Sequence, residues 1–128
     1  MPISYRIDRE RRLVVSRPHG VVRDEDMIAH QKALAADPDF DPTFDQLIEP
    51  EGVTVFQVST AAYRRLAAES PFREGSRRAV VAPTEMGYGL SRMFEMRTAS
   101  SGSLVRVFRT AKEARRWLFG SEPERGRS

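Results

Sequence analysis

Residues 77–98 read RRAVVAPTEMGYGLSRMFEMRT. The opening piece, Arg77 to Ala82, has a continuously apolar centre, as strands covered on both faces do. Two readings compete for the stretch from Pro83 to Thr98. Gly87 and Gly89 either wrap a phosphate or sit in the first turns of a helix that packs closely on a sheet. Stepping about 100° per residue gathers Met86, Leu90, Met93, Phe94 and Arg97 on one side. Tyr88, Ser91, Arg92 and Glu95 fall opposite, which makes an amphipathic helix with an aqueous face. Each glycine costs such a helix about 1 kcal/mol of propensity, and its missing Cβ permits close approach to the strands. The phosphate-loop reading fits less well. A Walker loop needs G-x-x-x-x-G-K-[ST], and a dinucleotide fingerprint needs a third glycine where Arg92 stands. A small anion near Thr84 to Gly87 stays open, because helix amino termini carry free amides.

Working outward, Ile3, Tyr5 and Ile7 alternate with polar residues, the period of a half-buried strand. Asp8 to Arg11 is a turn, and Leu13-Val14-Val15 completes an antiparallel hairpin that Pro18-His19-Gly20 ends. Asp24-Glu25-Asp26 places negative charge where a helix dipole favours it. Met27, Ile28, Gln31, Leu34 and Ala35 then share a helical face, and Asp37-Pro38 stops it. Phe44 to Ile48 reads as a strand, followed by a loop and the short apolar run Val53 to Phe56. Ser59 or Thr60 caps a helix that turns Ala62, Tyr63, Leu66 and Ala67 inward. Leu104 to Phe108 is the last strand, and Thr110-x-x-Glu113 fits a capping box for a final helix. On that helix Ala114, Trp117 and Leu118 face inward, so Trp117 reads as core. The order is β-β-α-β-α-β-α-β-α. It predicts a single α/β domain over 1–120, with a mixed, mostly parallel sheet, an N-terminal antiparallel hairpin and about four packed helices. Residues 121–128 read as a polar tail.

A chain of 128 residues with 40% hydrophobic and 30% charged side chains fits one globular domain. With Cys 0, thiol chemistry and disulfides are excluded. The formal charge of +3 is small beside a pI of 9.8, and the arginines alternate with acids instead of forming a stripe. A nucleic-acid partner is therefore not expected. The amino terminus is too charged for a signal peptide, and no run approaches the roughly 20 apolar residues of a membrane span. A cytoplasmic protein is expected.

The segment AVVAPTEMGYGLSRMFEM, with VRVFRTAKEARRWL after it, resembles the SpoIIAA-like proteins of the STAS superfamily. These are small bacterial domains, also grouped with the lipid-binding CRAL-TRIO fold. The likeness runs from the opening hairpin to Trp117-Leu118. Its markers are Tyr88-Gly89-Leu90-Ser91-Arg92-Met93 and Val107-Phe108-Arg109-x-x-x-Glu113-Ala114-x-x-Trp117-Leu118. It implies helices on a mixed sheet and no catalysis. Anti-sigma-factor antagonists of the superfamily carry a phosphorylated serine in Asp-Ser-Ser-Gly at a helix start. Ser59 falls on that acceptor, which makes it a candidate phospho-acceptor. Gln57 stands for the aspartate, Val58 for the first serine and Thr60 for the glycine. A plain N-cap explains Ser59 at least as well.

His19 reads as a surface-turn residue and His30 as one on a polar helix face, neither with a partner at metal spacing. No G-x-S-x-G elbow is present. Neither catalytic residues nor a cofactor or metal site is expected. Tyr88 and Arg92 lie four apart and can stack, and Arg92 can reach Glu95. These three and Ser91 are the candidate partner-binding residues; a purely local helix-stabilising cluster is an equal reading. The expected function is non-enzymatic and regulatory, through contacts with a protein partner or as a homodimer. The alternative, from the CRAL-TRIO likeness, is a carrier of a lipid or apolar ligand. Phe56, Met86, Met93 and Phe94 would line its cavity.

Overall fold

Ile3, Tyr5 and Ile7 lie on β1 (Ile3–Asp8), which runs antiparallel to β2 (Leu13–Pro18). The computed structural model describes residues 2–84 and 104–120. Along them come β3 (Gly20–Arg23), α1 (Asp24–Ala36), β4 (Asp45–Ile48), β5 (Val53–Gln57), α2 (Thr60–Ala68), β6 (Arg77–Val81), β7 (Leu104–Phe108) and α3 (Ala111–Phe119). The main sheet has the order β1-β2-β4-β6-β7, antiparallel in its first pair and parallel in the rest. The mixed, mostly parallel α/β architecture is thus the expected one. The helix read from Met86 to Arg97, and the tail 121–128, lie outside the described residues.

Both faces of the sheet are covered, so neighbouring residues on one strand are buried together. Val14 and Val15 are 0% and 1% exposed. Leu13, Val15, Leu47, Ala79 and Val81 meet Ala114 and Leu118 of α3 on one side. Val14 meets Leu34 of α1, with Phe44 and Phe72, on the other. Val80 and Val105 there meet Tyr63 and Leu66 of α2. This explains the unbroken apolar centre of β6, which no single-faced strand would show.

Two short strands go beyond the expected order. β3 and β5 pair in parallel as a separate two-stranded ribbon. Their burial does not alternate: β5 is exposed at Thr54, Val55 and Gln57 and half-buried at Val53 and Phe56. The period-two signal that marks a strand in sequence is therefore missing. Gly20, at φ 64°, turns the chain out of β2 into the ribbon, a conformation that glycine adopts without a Cβ clash.

α1 keeps the expected face at Met27, Ile28, Gln31 and Leu34 and departs from it at Ala35 and His30. Leu34 is buried, Met27, His30 and Gln31 are half-buried, and Ala35 is exposed. The inward face is Met27, Ile28, His30, Gln31 and Leu34, with two polar members that disguise it. The α3 box is half realised. Thr110 Oγ1 accepts the Glu113 amide at 3.2 Å, while the Glu113 carboxylate accepts the Thr110 hydroxyl at 3.1 Å instead of a backbone amide.

Candidate functional site

Because β3 and β5 are parallel, with Arg23 opposite Gln57, the helices after them start side by side. Asp24 opens α1, and Ser59 is the N-cap of α2. One carboxylate joins the two starts. Asp24 Oδ1 accepts the Ser59 amide at 2.7 Å, and Oδ2 accepts the Ser59 hydroxyl, also at 2.7 Å. Ser59 Oγ in turn accepts the Ala62 amide at 3.1 Å. The serine hydroxyl, then the serine amide, hold the Asp24 carboxyl below its ordinary range. Burial first, and the Asp24 charge second, push the Tyr63 phenol above its own. Ser59 is exposed, so this corner faces solvent.

The capping expected of Ser59 is present. Its acidic partner is not legible in the local sequence, where Gln57 takes the aspartate position. The acid arrives from Asp24, which in sequence reads as a dipole residue alone, and the parallel ribbon brings it in. Of the other candidates, Phe56 stacks at a tilt on Tyr63, ring centroids 6.5 Å apart. Tyr88, Ser91, Arg92 and Glu95, with Met86, Met93 and Phe94, lie outside the described residues.

A second polar feature runs beneath α1, and sequence reading misses it. Arg78 of β6 is 5% exposed, with its guanidinium over the Phe72 ring, 4.6 Å from the centroid. Its Nε donates to Gln46 Oε1 at 3.0 Å. Gln46 Nε2 donates to Ser16 Oγ at 3.0 Å, and Ser16 Oγ lies 2.9 Å from His30 Nε2. Arg78 can only donate, which fixes the direction of the first two links. Gln46 presents its oxygen to Arg78 and its amide hydrogens to Ser16. Ser16 Oγ still has its own hydrogen and a second lone pair, so its bond to His30 Nε2 runs in the direction that the imidazole tautomer sets. Burial, then the Arg78 charge, pull the His30 imidazole down from 6.5 to about 4, so it is neutral. Burial alone brings the Arg78 guanidinium down to about 10. His30 is therefore an inward, neutral partner of Ser16 and not the residue of a polar helix face. A cavity of about 40 Å³ opens beside the chain, lined by Ser16, His30, Gln46 and Arg78 with Met27 and Leu66 among its apolar walls. That is room for a few waters. Among the described residues no group of three or more histidines and acids is placed to hold a metal ion.

The solved structure of an uncharacterised DUF3478-family protein with a SpoIIAA-like fold, from Shewanella loihica PV-4, resembles this chain at a TM-score of 0.53. The match covers 91% of this chain and 93% of that one, at 20% identity. The fold is SpoIIAA-like. No protein-family model matches the chain, and no curated protein does. In this SpoIIAA-like fold the Ser59 corner and the polar chain lie on the α1–α2 side of the sheet, with α3 behind. No helix among the described residues is long and apolar enough to cross a membrane.

Proposed function

We propose that this SpoIIAA-like chain is a non-catalytic, cytoplasmic module that acts through protein contacts, with the Asp24–Ser59 corner at the centre of its contact surface. One observation carries the reading: an exposed serine hydroxyl is held by a carboxylate from a different helix at the point where both helices begin. Such a corner responds to a change at a single side chain. A phosphate on Ser59 would find free amides at the start of α2, yet would face the Asp24 charge across the same short distance. The proposed contact residues also include Tyr88, Ser91, Arg92 and Glu95, which read as an aqueous helix face in sequence, because tyrosine and arginine suit an interface. The partner is another protein or a second copy of the chain.

The test is affinity purification from the native cell, with mass spectrometry scoring both recovered proteins and phosphate on Ser59. Wild type is compared with Ser59→Asp and with the Tyr88→Ala/Arg92→Ala double variant. Specific recovery of a partner, or of the chain itself, that falls with both variants while circular dichroism stays unchanged is expected. Recovery that neither folded variant alters would reject the corner and its flank as a contact surface.

A further inference from the structure

The α3 side of the sheet carries a feature that the corner does not use. Trp117 is half-buried at the edge of the core, with two guanidinium groups beside its ring. The Arg77 and Arg106 carbons lie 6.0 Å and 5.9 Å from its centroid. Arg77 is committed. Its Nη1 donates to the Trp117 carbonyl at 3.2 Å, and its Nη2 pairs with Asp45 at 3.4 Å. Arg106 is exposed and forms no ion pair among the described residues, and the same holds for Arg116, the residue before Trp117. Strand alternation puts Leu104 on the same face as Arg106. Leu104 is opposite Arg77 in the β6–β7 register and is 54% exposed, the largest value among the exposed large hydrophobic residues described.

We infer that Leu104, Arg106 and Trp117 form a second docking surface, and that its occupant is an acidic segment of a protein partner bearing an aliphatic or aromatic side chain. The inference rests on the reading of the chain as a protein-contact module, but on the opposite side of the sheet. Charge complementarity selects the occupant. Among the described residues, Arg106 and Arg116 have no internal carboxylate, while the neighbouring acid Asp45 is already paired. A carboxylate from outside therefore meets Arg106 without a described competitor. Leu104 supplies the apolar contact. Arginine and tryptophan at a partly desolvated spot are the side chains that dominate interface energies. Single-stranded nucleic acid fits less well. Base stacking needs an open aromatic face, and here the indole is half-buried with guanidinium groups beside it.

Trp117 reports on its own surface, because the chain has Trp 1. The full chain is titrated with a short peptide of glutamates interspersed with leucines, free of tryptophan and tyrosine, and indole emission is monitored. A lysine–leucine peptide and a single-stranded oligonucleotide are run beside it. A saturable change with the acidic peptide alone is expected. Arg106→Glu and, separately, Leu104→Ser should weaken it about tenfold each, and Ser59→Asp should leave it unchanged. Both substituted side chains are exposed, and Leu104→Ser keeps the test valid should Arg106→Glu fold poorly. No saturable change overturns the inference, as do affinities within about twofold for both folded variants. An equal or tighter response to the lysine–leucine peptide or the oligonucleotide overturns it as well. The Ser59 variant separates the two surfaces, so failure here leaves the corner standing.

Discussion

Acid tests the neutral imidazole beneath α1. His30 is held at about 4 against an ordinary 6.5, so the unfolded chain takes the proton first. Its contribution to stability is therefore fully present above about pH 6.5 and is lost as pH falls from there toward 4, below which both states are protonated. Each unit between the two values is worth about 1.4 kcal/mol. The gap amounts to roughly 3 kcal/mol, a large share of the 5–15 kcal/mol typical of a domain. The physical cost is an imidazolium buried beneath α1 and forced beside the Arg78 charge. The carboxyls of Asp24, Asp37 and Asp41 are held below 3.8. Their contributions disappear at lower pH and leave the histidine window separate. Urea denaturation monitored by Trp117 emission, at steps from about pH 7 to 4.5, measures the effect. His30→Gln keeps an acceptor within reach of Ser16 and removes the titration. Wild type should lose roughly 2–3 kcal/mol over this range, and the variant less than about 1. Parallel losses in the two proteins would refute the buried, neutral assignment.

Removing the Ser59 hydroxyl in Ser59→Ala should cost about 1 kcal/mol in urea denaturation, the usual worth of an N-cap. Ser59→Asp should cost more than a cap-conserving change does, because it brings a second carboxylate against Asp24, and adding Asp24→Asn should recover part of the loss; additivity of the two changes would deny the contact. Gln46→Leu removes the acceptor of Arg78 Nε and the donor to the Ser16 oxygen in one step, and should cost about 2–4 kcal/mol by the same assay. Leu34→Ala empties a buried position and should cost about 2–5 kcal/mol, with a lowered thermal midpoint by calorimetry.

Period and charge make most of the main sheet legible. The alternation of Ile3, Tyr5 and Ile7, the solid apolar run at β6 and the capping serine each act through local geometry, which sequence carries directly. What sequence hides is non-local. β3 and β5 have no period because a two-stranded ribbon at the surface has no consistently buried face. Asp24 reads as a helix-start acid until the ribbon places it against Ser59. Arg78 reads as a strand-end charge, and its burial is tolerable only because Gln46, a strand away, presents an oxygen and Phe72 a ring. His30 reads as a residue of the outer side of α1, because a polar residue that satisfies a buried hydroxyl looks, in one dimension, like one that meets water.

The strand order has a kinetic consequence. β1 and β2 can find each other across a tight turn, but Leu13 must meet Asp45, Leu47 must meet Ala79, and Ala79 must meet Arg106. Each of these parallel pairings closes a long loop before its contacts repay the lost chain entropy. Refolding from denaturant should therefore be slower than for a helical bundle of this size. Until the neighbours of β6 arrive, Ala79, Val80 and Val81 present a bare sticky edge, so dilution during refolding should raise the yield of native protein.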